Sequence, residues 1–138
     1  MSHKAIRALI ETRLADWAIG MDYPVAWENA TFTPPAGATW LRFTMLPAET
    51  RSADLEGKHR EYRGIAQIDL FVPTGAGPGF AGDLIAEIED LFPVSTYLTS
   101  VEASVIVLTP VSAAVAQSDQ AFHVIPCSFT YRADVLIS

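Results

Sequence analysis

A strand, a glycine-rich turn and a helix are predicted in immediate succession over residues 65–92, and this run constrains the fold more than any other part of the chain. In the first part of the run, every second residue is apolar, which predicts a strand with one buried face. The residues of that face are Ala66, Ile68, Leu70 and Val72. Gly75, Gly77 and Gly79 then predict a tight turn, because glycine tolerates positive φ. Apolar residues recur at helical spacing from Phe80 onward, and Pro93 ends the helix.

The rest of the chain supplies one more helix and several strands. Residues 3–18 have an amphipathic helical stripe, made of Ile6, Leu9, Ile10, Leu14 and Trp17. Strands are predicted at residues 23–28 and 40–46, within 97–108, and over 122–137. In the last of these, the residues expected to point inward are Val124, Phe129, Tyr131 and Val135. Residues 111–120 are small and polar and predict a loop.

The order α-β-β-loop-β-α-β-β predicts an α+β protein with a mostly antiparallel sheet and two helices packed on one face. Half of the 138 residues are apolar, which is enough for a core. A chain of this length is expected to form a single domain over residues 1–138.

The charges are divided unevenly between the two halves of the chain. Residues 1–63 contain eight bases and eight acids, whereas residues 64–138 contain eight acids and only one base, Arg132. The net charge of −7 therefore belongs to the second half. An acidic balance argues against nucleic acid as the main partner, because binding phosphates requires clustered Lys and Arg.

A long charged loop is predicted at about residues 48–62, where Leu55 and Tyr62 are the only large apolar residues. This segment and the residue after it mix both signs of charge, which favours contact with another protein over a catalytic pocket. The residues assigned to an interface with another subunit or protein are Glu49, Arg51, Asp54, Glu56, Lys58, His59, Arg60, Glu61 and Arg63.

Residues 77–82 match the dinucleotide-binding pattern GxGxxG between a predicted strand and a predicted helix. Pro78 has no N–H to offer a pyrophosphate, and the preceding strand is polar on one face. A structural turn therefore explains the glycines better than a cofactor site.

No other motif indicates catalysis or a metal. The three histidines are far apart, and the only cysteine, Cys127, has apolar neighbours typical of a buried side chain. Glu87, Glu89 and Asp90 predict a solvated or partner-facing helix flank rather than a catalytic pair. No serine lies in a GxSxG context. We therefore expect no enzyme activity, no cofactor and no metal.

The chain shows neither a secretory signal nor an apolar run long enough to cross a membrane, so we expect no membrane association. Synthesis in the cytoplasm is the corresponding expectation.

Residues 60–77, followed by the helix that ends at residues 88–93, resemble the phage tail terminator family. In that pattern an Arg-Gly pair opens a strand, the strand ends in Pro-x-Gly-x-Gly, and the next helix ends near a Phe. This chain has Arg63-Gly64, then Pro73-Thr74-Gly75-Ala76-Gly77, then Phe92. The first helix, the early strand with Trp27 and the closing strands agree in order, so the resemblance covers most of the chain.

The resemblance implies a structural protein that assembles into a homo-oligomeric ring, expected to contain six copies. The ring would cap the head-proximal end of a tail tube, end its growth and join the tail to a head-completion or connector protein. DNA would pass through the channel without specific binding. The protein would be found in the cytoplasm of the bacterial host during assembly and then in the virion tail.

Three other interpretations are compatible with the sequence. A different head–tail connector or tail-completion protein would also form a ring. A small nucleotide-binding enzyme would use the glycine turn and lose binding on substitution of Gly79. An acidic partner protein of the toxin or immunity type would bind a basic partner without self-assembly.

Overall fold

The computed structural model describes residues 2–52, 55, 57–119 and 121–136. Its elements in chain order are α1 (Ser2–Met21), β1 (Val25–Ala26), β2 (Trp40–Ser52), β3 (His59–Pro73), α2 (Pro78–Leu91), β4 (Tyr97–Thr99), β5 (Ser104–Val107), β6 (Ser112–Ala113), β7 (Gln117–Asp119) and β8 (Phe122–Leu136). Both predicted helices are present. The segment predicted as a loop over residues 111–120 contains two short strands, because β6 and β7 pair with β8.

The strands form one eight-stranded sheet in the order β1-β2-β3-β8-β5-β4, with β6 and β7 also on β8. β1 joins β2 in parallel, whereas the other pairings are antiparallel. The sheet is large, curled and mixed. The α+β class is consistent with the prediction, whereas the predicted mostly antiparallel sheet with two helices packed on one face matches the structure only in part. Strands as long as β3 and β8 twist along their length, which curls the sheet that they share.

The buried face of the sheet follows the alternation of the sequence. β3 buries Ala66, Ile68, Leu70 and Val72, as predicted. β8 buries Phe129, Tyr131 and Val135, but the expectation for Val124 was wrong. The residue after it, Ile125, is buried instead, because alternate residues of a strand point to opposite faces.

Both helices contribute to this core through one stripe each. α1 buries Ile6, Ile10, Leu14 and Ala18 completely or almost completely, and α2 buries Leu84 and Ile88. Removing a large aliphatic side chain from water stabilises the fold by about 1.5–3 kcal/mol. Arg13 of α1 also donates a hydrogen bond from Nε to the Leu91 carbonyl at 2.6 Å. This bond gives a partner to one of the carbonyls that the end of α2 leaves without an intrahelical donor. The two helices are thus fixed to each other as well as to the sheet.

The predicted charged loop at residues 48–62 is replaced mainly by paired strands. β2 continues to Ser52 and β3 begins at His59, with Arg51 opposite Glu61. The register shifts between Pro47 and Thr50, which marks a β-bulge. We call residues 48–52 of β2 and 59–63 of β3 the hairpin arm. The two strands of the arm pair with each other, and the β3 strand also pairs with β8. Because these backbone bonds hold the arm, it needs few apolar residues of its own.

The outer edge of β2 is completed by a side chain where β1 ends. Glu28 Oε1 accepts a hydrogen bond from the Met45 N–H at 2.7 Å and another from Arg7 at 2.8 Å. Partial burial pushes the pKa of Glu28 upward, but these bonds outweigh it and hold that pKa below its ordinary value of 4.5. The ionised carboxylate therefore stabilises the fold above pH 4.5, and this contribution is lost as the pH falls through the lowered pKa.

We expect Glu28→Ala to lower the free energy of unfolding by about 1 kcal/mol at pH 7, since an exposed charged hydrogen bond is worth about that much. The loss should shrink as the pH falls through the lowered pKa of Glu28, because the wild-type carboxylate then becomes protonated. Urea titrations at pH 7 and at a series of lower pH values measure it. Glu11→Ala is the matched control, because the Glu11 carboxylate also pairs with Arg7, at 3.3 Å, but accepts no bond from a backbone N–H of the described residues. Equal losses for the two variants would contradict a role for the Met45 bond.

Candidate assembly surface

The interface residues predicted from the sequence lie mostly on the hairpin arm. Glu49 and Arg51 are on β2, His59, Arg60, Glu61 and Arg63 are on β3, and Lys58 directly precedes β3. Asp54 and Glu56 lie outside the described residues. Pairing of β2 with β3 brings the two sides of the arm together. Arg51 shares one face with His59, Glu61 and Arg63, whereas Arg60 lies on the opposite face.

Two residues of β8 that the sequence analysis did not assign complete the charged surface of the arm. Glu61 accepts a bond from Arg63 at 2.6 Å and contacts Arg132 at 3.1 Å. Arg132 also contacts Asp134 at 3.1 Å, and Asp134 lies 2.8 Å from His59 Nε2. We call these five residues the charge cluster. The signal that could have revealed it is Arg132 itself, the only base after residue 63.

Charge pairing lowers the pKa values of both acids in the charge cluster. The bond from Arg63 lowers the pKa of Glu61, and the charges of Arg132 and Arg63 lower it further. Partial burial pushes the pKa of Asp134 upward, but its bonds to His59 and Arg132 hold it below the ordinary value. Both acids are therefore ionised at neutral pH and largely compensated. The cluster holds the arm to β8 rather than offering a proton for catalysis.

Other charges of the arm are available to a partner. The Arg51 side chain is 63% exposed, and it forms a pair with Glu49 at 3.9 Å. An exposed pair at that distance contributes about 0–1 kcal/mol. Arg51 can therefore exchange this partner for an acid on another protein at little cost.

The sheet face opposite the core carries an apolar patch beside the charge cluster. Leu46 and Ile65 are exposed and lie directly opposite each other on β2 and β3. Farther along the same face, Trp40 stacks on Phe71 with ring centroids 3.7 Å apart, and Arg42 lies over Phe71 while pairing with Asp69 at 2.9 Å. The aromatic end is buried by its own ring contacts, and the buried Trp40 Nε1 has no hydrogen-bond partner among the described residues. The Leu46–Ile65 end is exposed and open to contact.

The glycine turn borders an apolar groove of about 650 Å³. Its walls come from the end of β3, from α2, from residues 114 and 116, and from β8, and they include Val72, Ala81, Ile85, Ala116 and Ile125. We call it the α2 groove. Gly75 and Gly77 have φ of +95° and +89°, whereas Gly79 lies inside α2 without positive φ. The groove is lined mainly by carbon, which suits an apolar side chain better than a phosphate.

The histidines lie apart in the structure as well. His3 contacts the Tyr62 ring, His59 lies in the charge cluster, and His123 lines the α2 groove. Within the described part of the chain, no group of three or more His, Cys, Asp or Glu residues could hold a metal ion. Cys127 is fully buried, as predicted, and burial raises the pKa of its thiol to about 12. Among the described residues no helix is long and apolar enough to cross a membrane.

Comparison with known proteins identifies the kind of protein that carries this surface. The family model of the phage tail terminator protein matches residues 5–131. The chain belongs to the phage tail terminator family. One solved structure shares 41% sequence identity with this terminator-family chain. The match covers 100% of this chain and 98% of the chain in that structure, and the two superpose with a TM-score of 0.81. No curated protein matches the sequence.

Membership in the terminator family makes this protein a structural component of a phage tail, in contact with other tail proteins. The family is structural rather than enzymatic. One detail of the sequence pattern needs correction. Arg63-Gly64 does not open a strand, because β3 begins at His59 and Gly64 lies well inside it, next to Tyr131 and Leu46.

Proposed function

We propose that this protein, as a single-domain protomer, forms a homo-oligomeric ring, expected to be hexameric, that caps the head-proximal end of a tail tube. The ring ends tube growth and provides the surface to which a head-completion or connector protein binds. The observation that carries the proposal is the match to the terminator family over residues 5–131. Assembly would take place in the host cytoplasm before the ring becomes part of the virion tail.

The hairpin arm supports this proposal as the surface that meets a neighbouring subunit or the tube. Its strands are fixed by pairing on both sides of β3 and by the charge cluster, so the arm presents Arg51 and its other charges without ordering on contact. A preordered surface avoids part of the entropy cost of binding. The exposed Leu46–Ile65 pair adds apolar area that a ring contact would bury.

The net charge of −7 supports a channel through which DNA moves without specific binding. Like charges repel the phosphate backbone, and the only base of the second half, Arg132, is held by Glu61 and Asp134. A ring with this balance would let DNA slide.

Light scattering across a concentration series tests self-assembly. We expect a discrete mass near six times the protomer mass of 15.0 kDa. Polymerisation of the tail tube protein in the presence of the ring tests capping, and we expect shorter tubes with a ring at one end in electron micrographs. A monomer at every concentration that also leaves tube length unchanged would refute the proposal. Rings that bind head proteins but ignore tubes would indicate a connector instead.

Charge reversal tests the contribution of the arm. We expect Arg51→Glu to raise the concentration needed for ring formation or capping several-fold, because the exposed guanidinium would no longer meet an acid on the partner. Lys4→Glu is the matched control, since Lys4 is an exposed base that belongs to α1 and not to the arm. Equal effects of the two variants would show that only net charge matters.

A further inference from the structure

We propose that the open edge of β4 and the adjacent wall of α1 form a docking site for an extended segment of another protein, which joins the sheet as one more strand. The segment that fits carries apolar and basic side chains. β4 ends the strand order on the side away from β2 and the hairpin arm. The site therefore stands or falls independently of the proposed ring.

The outer backbone groups of β4 have no strand beside them. The Thr96 carbonyl accepts a hydrogen bond from β5 at 3.0 Å, and the Ser100 N–H donates one into the β4–β5 turn at 2.9 Å. Because alternate residues of an antiparallel strand direct their backbone groups to opposite sides, those of Tyr97 and Thr99 point away from β5. Among the described residues, no backbone bond reaches these outward groups. The edge thus offers two N–H groups and two carbonyls to a further strand.

The edge of β4 lacks the residues that protect the other end of the sheet. An unpaired edge is a template for another strand, and proline or charged residues usually block it. Pro24 precedes β1, and the outer part of β2 contains Pro47, Glu49 and Arg51. β4 contains neither proline nor a charged residue, and its Tyr97 is 65% exposed. β4 is therefore the edge that can accept a strand through main-chain hydrogen bonds.

A groove of about 560 Å³ between β4 and α1 provides room for the side chains of the added strand. Its α1 wall includes the small residues Ala5, Ala8 and Thr12, together with Leu9, which packs against the core. Side chains of a strand alternate between its two faces. Those that face α1 meet this small and apolar wall, which suits an aliphatic side chain.

The charges of the groove select a basic partner. Its charged lining residues are Asp16, Glu102 and Arg13. Arg13 is already engaged, because its Nε donates to the Leu91 carbonyl at 2.6 Å. Asp16 and Glu102 are exposed, and neither belongs to the ion pairs of the described residues. Two acids without a partner attract a basic side chain, and they disfavour self-pairing of two β4 strands, which would bring the acids of both copies together.

A synthetic peptide tests the site in the full-length protein. The probe is a fluorescein-labelled peptide of alternating valine and lysine, and fluorescence anisotropy follows its binding. One control peptide has the same sequence with alternate amides N-methylated, and a second has glutamate in place of lysine. We expect both controls to bind at least tenfold more weakly than the probe. Equal binding of either control, or no saturable binding of the probe, would overturn the proposal.

A backbone variant places the peptide at the edge of β4. Thr99→Pro removes an outward N–H that β5 does not use, so the fold should persist while the probe binds at least fivefold more weakly. Thr99→Val keeps that N–H and is the matched control, with an expected change below twofold. Circular dichroism checks the fold of both variants. Equal affinities of the two folded variants would overturn the proposal.

A charge variant provides a readout that does not alter the backbone. We expect Glu102→Lys to weaken binding of the probe at least fivefold and to strengthen binding of the glutamate peptide. Glu49→Lys is the matched control, since it makes the same charge change on the hairpin arm, and it should alter the affinity less than twofold. Comparable losses for both variants would overturn the proposal. Light scattering separates this site from the ring: loss of the ring mass in Glu102→Lys would identify the β4 edge as a contact between copies and would also overturn it.

Discussion

Gly64→Ala is expected to destabilise the protein by about 3 kcal/mol, near the upper end for overpacking in a well-filled interior. A Cβ at this position would lie 2.5 Å from the Tyr131 hydroxyl oxygen and 2.8 Å from the Leu46 carbonyl oxygen. Tyr131 is completely buried and cannot move aside, and the carbonyl belongs to a strand paired with β3. Urea denaturation monitored by circular dichroism measures the loss.

Gly82→Ala is the matched control for this prediction. Apart from its chain neighbours and the backbone of its own helix, no atom of the described residues lies within 4 Å of the position that its Cβ would take, and its φ is not positive. In a helix this change should stabilise the protein by about 0.5–1 kcal/mol. Combining Gly64→Ala with Tyr131→Phe should recover part of the loss, because the shorter side chain removes the oxygen at 2.5 Å. A Gly64→Ala variant as stable as the parent would show that the contact of β3 with Tyr131 is not tight.

Leu84→Asp is expected to leave no folded protein under native conditions. Leu84 is fully buried on the core face of α2. The substitution removes a large buried side chain, which costs about 2–5 kcal/mol, and adds a carboxylate without a partner, which costs several more. The total reaches the whole stability of a typical domain, about 5–15 kcal/mol. Far-ultraviolet circular dichroism and solubility after expression provide the measurement.

Ala86→Asp gives the same new side chain on the exposed side of the same helix. It should cost less than about 1 kcal/mol, mainly through helix propensity. If Leu84→Asp remained folded while retaining α2, the core assignment of this helix would be wrong.

The sequence predicted those elements whose hydrophobic pattern reports directly on burial. The core-facing residues of β3 alternate from Ala66 to Val72, and those of α2 recur at helical spacing, so these patterns predicted both elements. The hairpin arm was missed because β2 is exposed from Leu46 onward and its pairing rests on backbone bonds. Its side chains therefore show no alternation of apolar and polar residues.

The charge cluster was predicted only in part, because its members lie far apart in the sequence. Glu61 and Arg63 belong to the charged segment of the sequence, but their partners Arg132 and Asp134 lie about seventy residues later. Their contact depends on the register of β3 with β8, in which Glu61 lies opposite Asp134. A single sequence without homologues does not specify that register. The sequence did not predict the α2 groove either. Residues 114 and 116 reach the groove because β6 and β7 pair with β8, and a single sequence does not specify that pairing.

The position of β8 in the sheet has a consequence for biosynthesis. β8 follows every other described strand along the chain, yet it pairs with β3, β5, β6 and β7. Without it, β1–β3 and β4–β5 have no strand that joins them. Pairing of segments so far apart in the chain is slow to nucleate. We therefore expect the nascent chain to remain unfolded until β8 has left the ribosome, so that an incomplete chain cannot enter the proposed cap of a tail tube.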